Sequence, residues 1–317
     1  MKIRSDWKKE EIREIYDSPL LELIYRGAST HRAFHPANQV QICNLISVKT
    51  GGCSENCKYC PQSAHYKTDV QASSMMKEEE ILELAQKGLD GGATRICLAT
   101  AWRSPRDGAQ FDFLLRVIGK IRDLGAEVCC TFGMLTERQA IRLKEAGLYA
   151  YNHNLDTSRE FYSSIITTRT YEDRIRTLDA VQKAGLLVCS GGIIGMGESI
   201  DDRVGMLQTL ANRSPHPTSV PLNFLMPVKG TPLGEQKPLP VWDMVRMIAT
   251  ARIVMPQAMI RLTAGRLGRL AEEQALCFLA GANSIFSGEK LLTRPNPDFQ
   301  ADELLFDLLG IIPMEAK

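Results

Sequence analysis

Three cysteines, Cys53, Cys57 and Cys60, crowd into eight residues of the stretch GGCSENCKYCPQSAHY with the spacing CxxxCxxC. Thiols this close on one loop suit a shared metal better than disulfide pairing. A structural zinc wants four ligands, and His65 could complete a Cys3His set. Zinc sites favour paired CxxC knuckles, however. Three thiolates on one short loop can instead hold three irons of a cubane cluster and leave the fourth iron open, a position for chemistry.

A second set lies inside apolar runs: Cys97 in ATRICLAT, Cys129 in AEVCCTFG and Cys189 in LLVCSGGIIG, with Arg261 at similar depth in MIRLTAG. Each cysteine taken alone reads as a small buried hydrophobe. An arginine inside a core does not, because a buried guanidinium needs partners. Arg261 on the outer wall is the alternative, one residue of pleat away. Thiolates near a cation read as a second, smaller iron-sulfur centre. With five donors and no acceptor, Arg261 belongs on physical grounds beside the ligands. Arg95, two residues before Cys97, is a further candidate partner. In YNHNLDTS, alternation points Asn152, Asn154 and Asp156 the same way and His153 the other. Amides facing into a core need partners, which a polar ligand can supply.

The elements that position these residues alternate regularly. Strand-like runs near 39–48, 93–100, 126–133, 147–155, 186–195, 219–226, 259–265 and 282–287 are separated by helical patterns. Such alternation implies parallel strands with right-handed crossovers, and eight of them close as an α/β TIM-type (β/α)8 barrel. Active sites of that architecture sit at the C-terminal strand ends, where the cysteine loop follows the first strand. The chain reads as one domain: an N-terminal helical extension (1–38), the barrel (39–290) and a C-terminal segment (291–317). The opening MKIRSDWKKEEIREIYDSPL reads as an amphipathic surface helix with Asp6 as its cap.

Composition narrows the function classes. Lys plus Arg (38) nearly cancels Asp plus Glu (37) without a block of like charge, so nucleic acid is not an expected partner. No apolar run is long enough for a membrane span. The N-terminus has neither the apolar core of a secretion signal nor the acid-poor pattern of a transit peptide. Nine cysteines in a chain too large to need staples point to a reducing, cytoplasmic setting.

CxxxCxxC after the first strand of a βα barrel resembles the radical S-adenosylmethionine (SAM) superfamily. In that superfamily the open iron of a 4Fe-4S cluster chelates SAM, and an electron cleaves the sulfonium to a 5′-deoxyadenosyl radical. Tyr59 fits the family position near the adenine. Over almost the whole chain, from LIYRGASTHRAFHP to GANSIFSGEKLLTRPNP, the sequence is similar to the biotin synthases. YNHNLDTS, IITTRTYEDR, CSGGIIGMGE, VKGTPL and ARIVMP carry that likeness.

The resemblance implies a 2Fe-2S cluster held by Cys97, Cys129, Cys189 and Arg261 and consumed as the sulfur source. It implies SAM contacts from Asn154 and Asp156 at the ribose, Arg174 at the carboxylate and Ile193 at the purine, although a surface-helix arginine is the plain alternative for Arg174. Asn152, Asn154 and Asn223 would surround the ureido ring of dethiobiotin, with Lys49 and Thr293 as candidates for its far end. The implied reaction is sulfur insertion into dethiobiotin to give biotin, served by a low-potential reductant such as flavodoxin in a homodimer. From another class, an electron carrier or iron-sulfur sensor would hold clusters without cleaving SAM. Cys43, Cys130 and Cys277 match no ligand position and read as packing. Two departures, TAGRLGR where the family often has a glutamate after the arginine, and Thr293-Arg294 where it often has two threonines, bear on the carboxylate end of the substrate.

Overall fold

The computed structural model describes residues 3–315. Its strands are β1 (Gln39–Lys49), β2 (Arg95–Thr100), β3 (Glu127–Thr131), β4 (Ala150–Asn152), β5 (Leu187–Cys189), β6 (Gly192–Ile194), β7 (Ser219–Phe224), β8 (Met259–Leu262) and β9 (Ser284–Phe286). They pair in parallel, and β9 returns to β1 through Gln41↔Ser284, Ile42↔Ile285 and Cys43↔Phe286, so the sheet closes into a TIM-type barrel. A short hairpin, β10 (Lys290–Leu291) and β11 (Arg294–Pro295), follows β9. The last strand, β12 (Ile312–Pro313), lies beside the start of β1.

The fifth stave departs from the sequence reading, which expects one run over 186–195. It is two short strands, with β5 meeting β7 at Cys189↔Ser219 and β6 meeting it again at Gly192↔Leu222. Between them Gly191 lies so near β7 that a Cβ there would sit 1.9 Å from the Pro221 carbonyl oxygen. The glycine pair lets the break press against its neighbour.

The N-terminal stretch also differs. The helix there spans Lys9–Asp17 and is capped at Lys8, whose amide donates to the Glu11 carboxylate at 2.8 Å. Asp6 is not the cap; it accepts from Arg4 Nε at 3.0 Å. Pro19 then starts a second helix, Leu20–Phe34, because proline suits a helix start and not its interior. The first helix is not merely superficial, since Ile12, Ile15 and Tyr16 are buried. The second is pinned beneath the barrel by Arg252, which is fully buried and donates to the carbonyls of Gly281, Pro256 and Ala258, to Asn283 Oδ1 and to His35 Nε2, the last at 2.9 Å.

Two cores result. The larger fills the space between strands and helices with aliphatic and aromatic side chains. The barrel interior, which layers of branched aliphatics usually fill, holds a separate group of Cys43, Cys97, Cys129, Ala150 and Cys189. No helix among the described residues is long and apolar enough to cross a membrane.

Candidate active site with two sets of thiols

The cysteine loop leaves β1 through Gly51 and Gly52, both at positive φ (70° and 67°), a conformation glycine adopts without strain. It folds back on itself: Cys53 N donates to Gln62 O at 3.0 Å and Ala64 N to Cys53 O at 2.7 Å. His65 Nε2 lies 3.0 Å from the Ser54 carbonyl oxygen, so that ring nitrogen is engaged by backbone. A second loop, 166–170, clamps the first. Asn56 Oδ1 accepts from the amides of Thr167 and Thr168 at 3.0 and 3.2 Å, and Lys58 N donates to Ile165 O.

At the centre of this clamp Glu55, only 2% exposed, accepts from Arg103 Nη1 at 2.8 Å and from Thr168 Oγ1. Arg169 Nη2 lies 3.3 Å from Cys57 Sγ. Sequence reasoning missed Glu55 and Arg169, because their partners come from three different loops. The one local signal is an acid inside the cysteine motif and a base inside IITTRT. Burial pushes the Cys57 thiol up to about 11 and the Cys60 thiol up to about 12, with Arg169 opposing the rise at Cys57. Thiols held protonated in this way bind metal by releasing protons.

Inside the barrel, Cys97 and Cys129 are cross-strand partners on β2 and β3, and Asn152 Nδ2 donates to Cys189 Sγ at 3.3 Å. Arg261 points inward and is 1% exposed. Its Nη1 lies 3.8 Å from Cys189 Sγ, its Nε donates to Ser284 Oγ at 2.9 Å, and its Nη2 reaches Gln41 and Ser219 at 3.3 Å each. Arg95 meets the same Ser219 hydroxyl at 2.8 Å and pairs with Glu127 at 2.7 Å. Burial alone would lower the pKa of Arg261; Coulombic attraction to Cys43 and Cys189, in their thiolate form, helps to raise it instead. Cys43, which the sequence leaves as packing, thus shares the thiol chamber. Its position on the Gln41 side of β1 was the available clue. Cys130 belongs to the outer core, and Cys277 is buried on the helix Ala271–Leu279. All nine cysteines are free.

One pocket joins the two sets. Its wall includes Tyr59 and Cys60 from the loop, Cys97, Cys129 and Arg261 from the chamber, and Asn152, Asn154, Ile193, Asn223 and Thr293. Asn154 Oδ1 accepts from Gly191 N at 3.1 Å and from Asn152 Nδ2 at 3.2 Å, while Asn223 donates to Gly192 O and accepts from Thr263 Oγ1 at 2.6 Å. Among the described residues Asn152 Oδ1 and Asn154 Nδ2 make no hydrogen bond, so these two pocket-lining amides keep one acceptor and one donor.

Asp156 corrects the alternation argument. Regular β4 ends at Asn152, and Asp156 adopts a left-handed φ of 69°, which turns it off the pocket wall. There its carboxylate accepts from Arg174 Nη2, both side chains being buried. Thr170 caps the helix Tyr171–Lys183 and so brings Arg174 to this spot in its first turn. Burial alone would lower the Arg174 pKa, and the Asp156 carboxylate holds it raised. Lys49 also lies off the pocket wall; its Nζ donates to Gly51 O at 3.3 Å and to Ala101 O at 3.5 Å.

The donor sets suit two clusters. One loop carries three thiols, of which Cys60 lines the pocket, and the inner chamber gathers Cys97, Cys129 and Cys189, with Cys43 beside them and two cations that compensate negative charge. A sequence model described as the Radical SAM superfamily matches residues 47–210, and one described as the Biotin and Thiamin Synthesis associated domain matches residues 221–312. The two stretches build one closed barrel. Among solved structures, methylornithine synthase (PylB) superposes with a TM-score of 0.82 at 17% identity over 98% of this chain and 94% of that one. The hydrogenase maturase HydG gives 0.82 at 17% over 96% and 72%. These likenesses speak for the fold.

Barrel, cysteine loop and superfamily match together define the class, a radical SAM enzyme. The biotin synthase of Cytophaga hutchinsonii is 58% identical over 99% of this chain and 93% of its own length, and the mitochondrial biotin synthase of Arabidopsis thaliana 57% over 98% and 82%. The chain belongs to the biotin synthase family. Its cofactors are accordingly a 4Fe-4S cluster, a 2Fe-2S cluster and SAM, and its reaction is sulfur insertion into dethiobiotin.

Proposed function

We propose that this chain divides the conversion of dethiobiotin to biotin among the residues that line that pocket and others that lie off its wall, Lys49, Asp156 and Arg174 among them. Cys53, Cys57 and Cys60 would hold the 4Fe-4S cluster, and Cys97, Cys129, Cys189 and Arg261 the 2Fe-2S cluster. When bound, the first supplies the electron that cleaves SAM and the second supplies the sulfur. Tyr59 and Ile193 would flank the adenine. Asn154 and Asp156 would meet the ribose and Arg174 the SAM carboxylate, a charge-assisted contact. Asn152, Asn154 and Asn223 would orient the ureido ring, whose N–H and C=O need one acceptor and one donor, as Asn152 Oδ1 and Asn154 Nδ2 offer. Thr293 would contact the far end of the substrate, with Lys49 beside the loop. Apolar side chains such as Leu45, Phe224, Met226 and Phe286 would keep water from a reactive radical.

The observation that carries this reading is that one pocket touches both thiol sets and the asparagines. Equilibrium binding to the anaerobic holoenzyme tests it. Asn152→Ala should weaken dethiobiotin at least about tenfold with SAM affinity retained, and equal dethiobiotin affinity in variant and wild type would contradict the assignment.

We also propose one domain, a barrel over 39–290 with flanks 1–38 and 291–317. For the setting we propose a reducing, cytoplasmic one, and for the partner a low-potential reductant such as flavodoxin; nine free thiols and a cluster that must be reduced support both. A homodimer is supported by Leu21 and Tyr25, one helical turn apart and 79% and 68% exposed, an apolar pair that a second copy could cover. Sedimentation of the holoenzyme tests that state.

A further inference from the structure

Among the described residues only two charged side chains line the pocket, Arg261 and Arg294, and neither is a carboxylate. Arg261 is already engaged by Ser284, Gln41, Ser219 and the Cys189 sulfur. Arg294 is different. Its Nε is enclosed, and among the described residues it has no hydrogen-bond partner and the side chain forms no ion pair. The neighbouring cations are already committed: Arg266 pairs with Asp302 and donates to Phe286 O, and Lys49 donates to two carbonyls away from the pocket.

The hairpin explains the placement. Leu291 and Arg294 are opposed across β10 and β11, and cross-strand partners share a face. Both line the pocket, as does the tip residue Leu292, held at a left-handed φ of 57°. Because the hairpin follows β9, it sits at the C-terminal ends of the strands, over the active face.

An enclosed guanidinium donor without an acceptor costs free energy unless a ligand supplies one. From this unpartnered donor on the pocket wall we infer that Arg294 is the anion receptor of the pocket and binds the substrate carboxylate, with Thr293 next to it in the chain. The inference rests on the dethiobiotin reading above and adds to it one charged residue at the far end. Arg294 stands where the family often has threonine, so this chain carries a charge where such relatives carry a hydroxyl. The pocket should therefore discriminate between a free acid and its neutral ester.

The test is calorimetric binding of dethiobiotin and its methyl ester to the anaerobic holoenzyme with SAM present, for wild type, Arg294→Thr and Arg294→Lys. Visible spectra confirm that each variant retains both clusters. Wild type should prefer the acid by at least about tenfold. Arg294→Thr should lose most of that preference by weakening the acid and leaving the ester unchanged, and Arg294→Lys should keep part of it. An acid-to-ester ratio that is the same in Arg294→Thr and wild type overturns the inference while leaving the dethiobiotin reading intact. If wild type binds neither compound, the dethiobiotin reading falls and the inference with it.

Discussion

Arg174 and Asp156 hold each other in a buried ion pair, at 6% and 3% exposure, and each is proposed above to contact SAM. Removing one member leaves an uncompensated buried charge, which costs about 3–5 kcal/mol, more than removing both. Arg174→Met should thus lower the denaturation midpoint more than Arg174→Met combined with Asp156→Asn. A double variant as unstable as the sum of the two singles would show that the pair is not coupled. At this scale the sequence was partly legible. Cys53, Cys57 and Cys60 stood out by local spacing, and Cys97, Cys129, Cys189 and Arg261 by similar depth in their strands, with the family resemblance needed to join them as one set. Arg169 on the Cys57 sulfur and Glu55 between two arginines did not, since such contacts are made only when separate loops meet.

The elements show how close approach is achieved. The fifth stave breaks at Gly191, where a Cβ would meet the Pro221 carbonyl at 1.9 Å. Gly191→Ala must push β5 and β7 apart, with an expected cost of roughly 3 kcal/mol or more, and the same shift would disturb Cys189, two residues away. A thermal midpoint within about 2 °C of wild type would contradict this. The alternating apolar pattern revealed eight staves but could not reveal the break, because glycines that permit contact look in sequence like glycines that end strands.

Beneath the barrel, the helix Leu20–Phe34 carries a pH dependence. Burial first and the nearby Arg252 second push His31 down to about 3 and His35 down to about 4. Both are neutral when folded, whereas the unfolded chain takes up protons below about 6.5. Stability from these groups is complete well above pH 6.5 and falls as the pH drops toward 4, by at most about 1.4 kcal/mol per unit for each histidine and by less for the more exposed His35. Denaturation midpoints measured between pH 7 and 5 should decline, and His35→Gln should flatten the slope. A slope unchanged in that variant would exclude His35 as a source.

At the scale of the whole molecule, a single closed sheet brings two thiol sets, one on a loop at its rim and one inside it, to opposite parts of one pocket. Their surroundings are separate: the rim set is tied to Glu55, Arg169 and the 166–170 loop, the inner set to Arg95, Arg261 and Ser219. Loss of one set should leave the other able to assemble. The most direct test of that claim is iron and acid-labile sulfide content with visible and EPR spectra on anaerobically purified wild type, Cys97→Ala, Cys129→Ala and Cys189→Ala. Both cluster types in wild type, with only the 2Fe-2S signal lost in each variant, is the predicted result. A single 4Fe-4S signal that persists unchanged in all four proteins would contradict the inner site and the sulfur-donor role assigned to it.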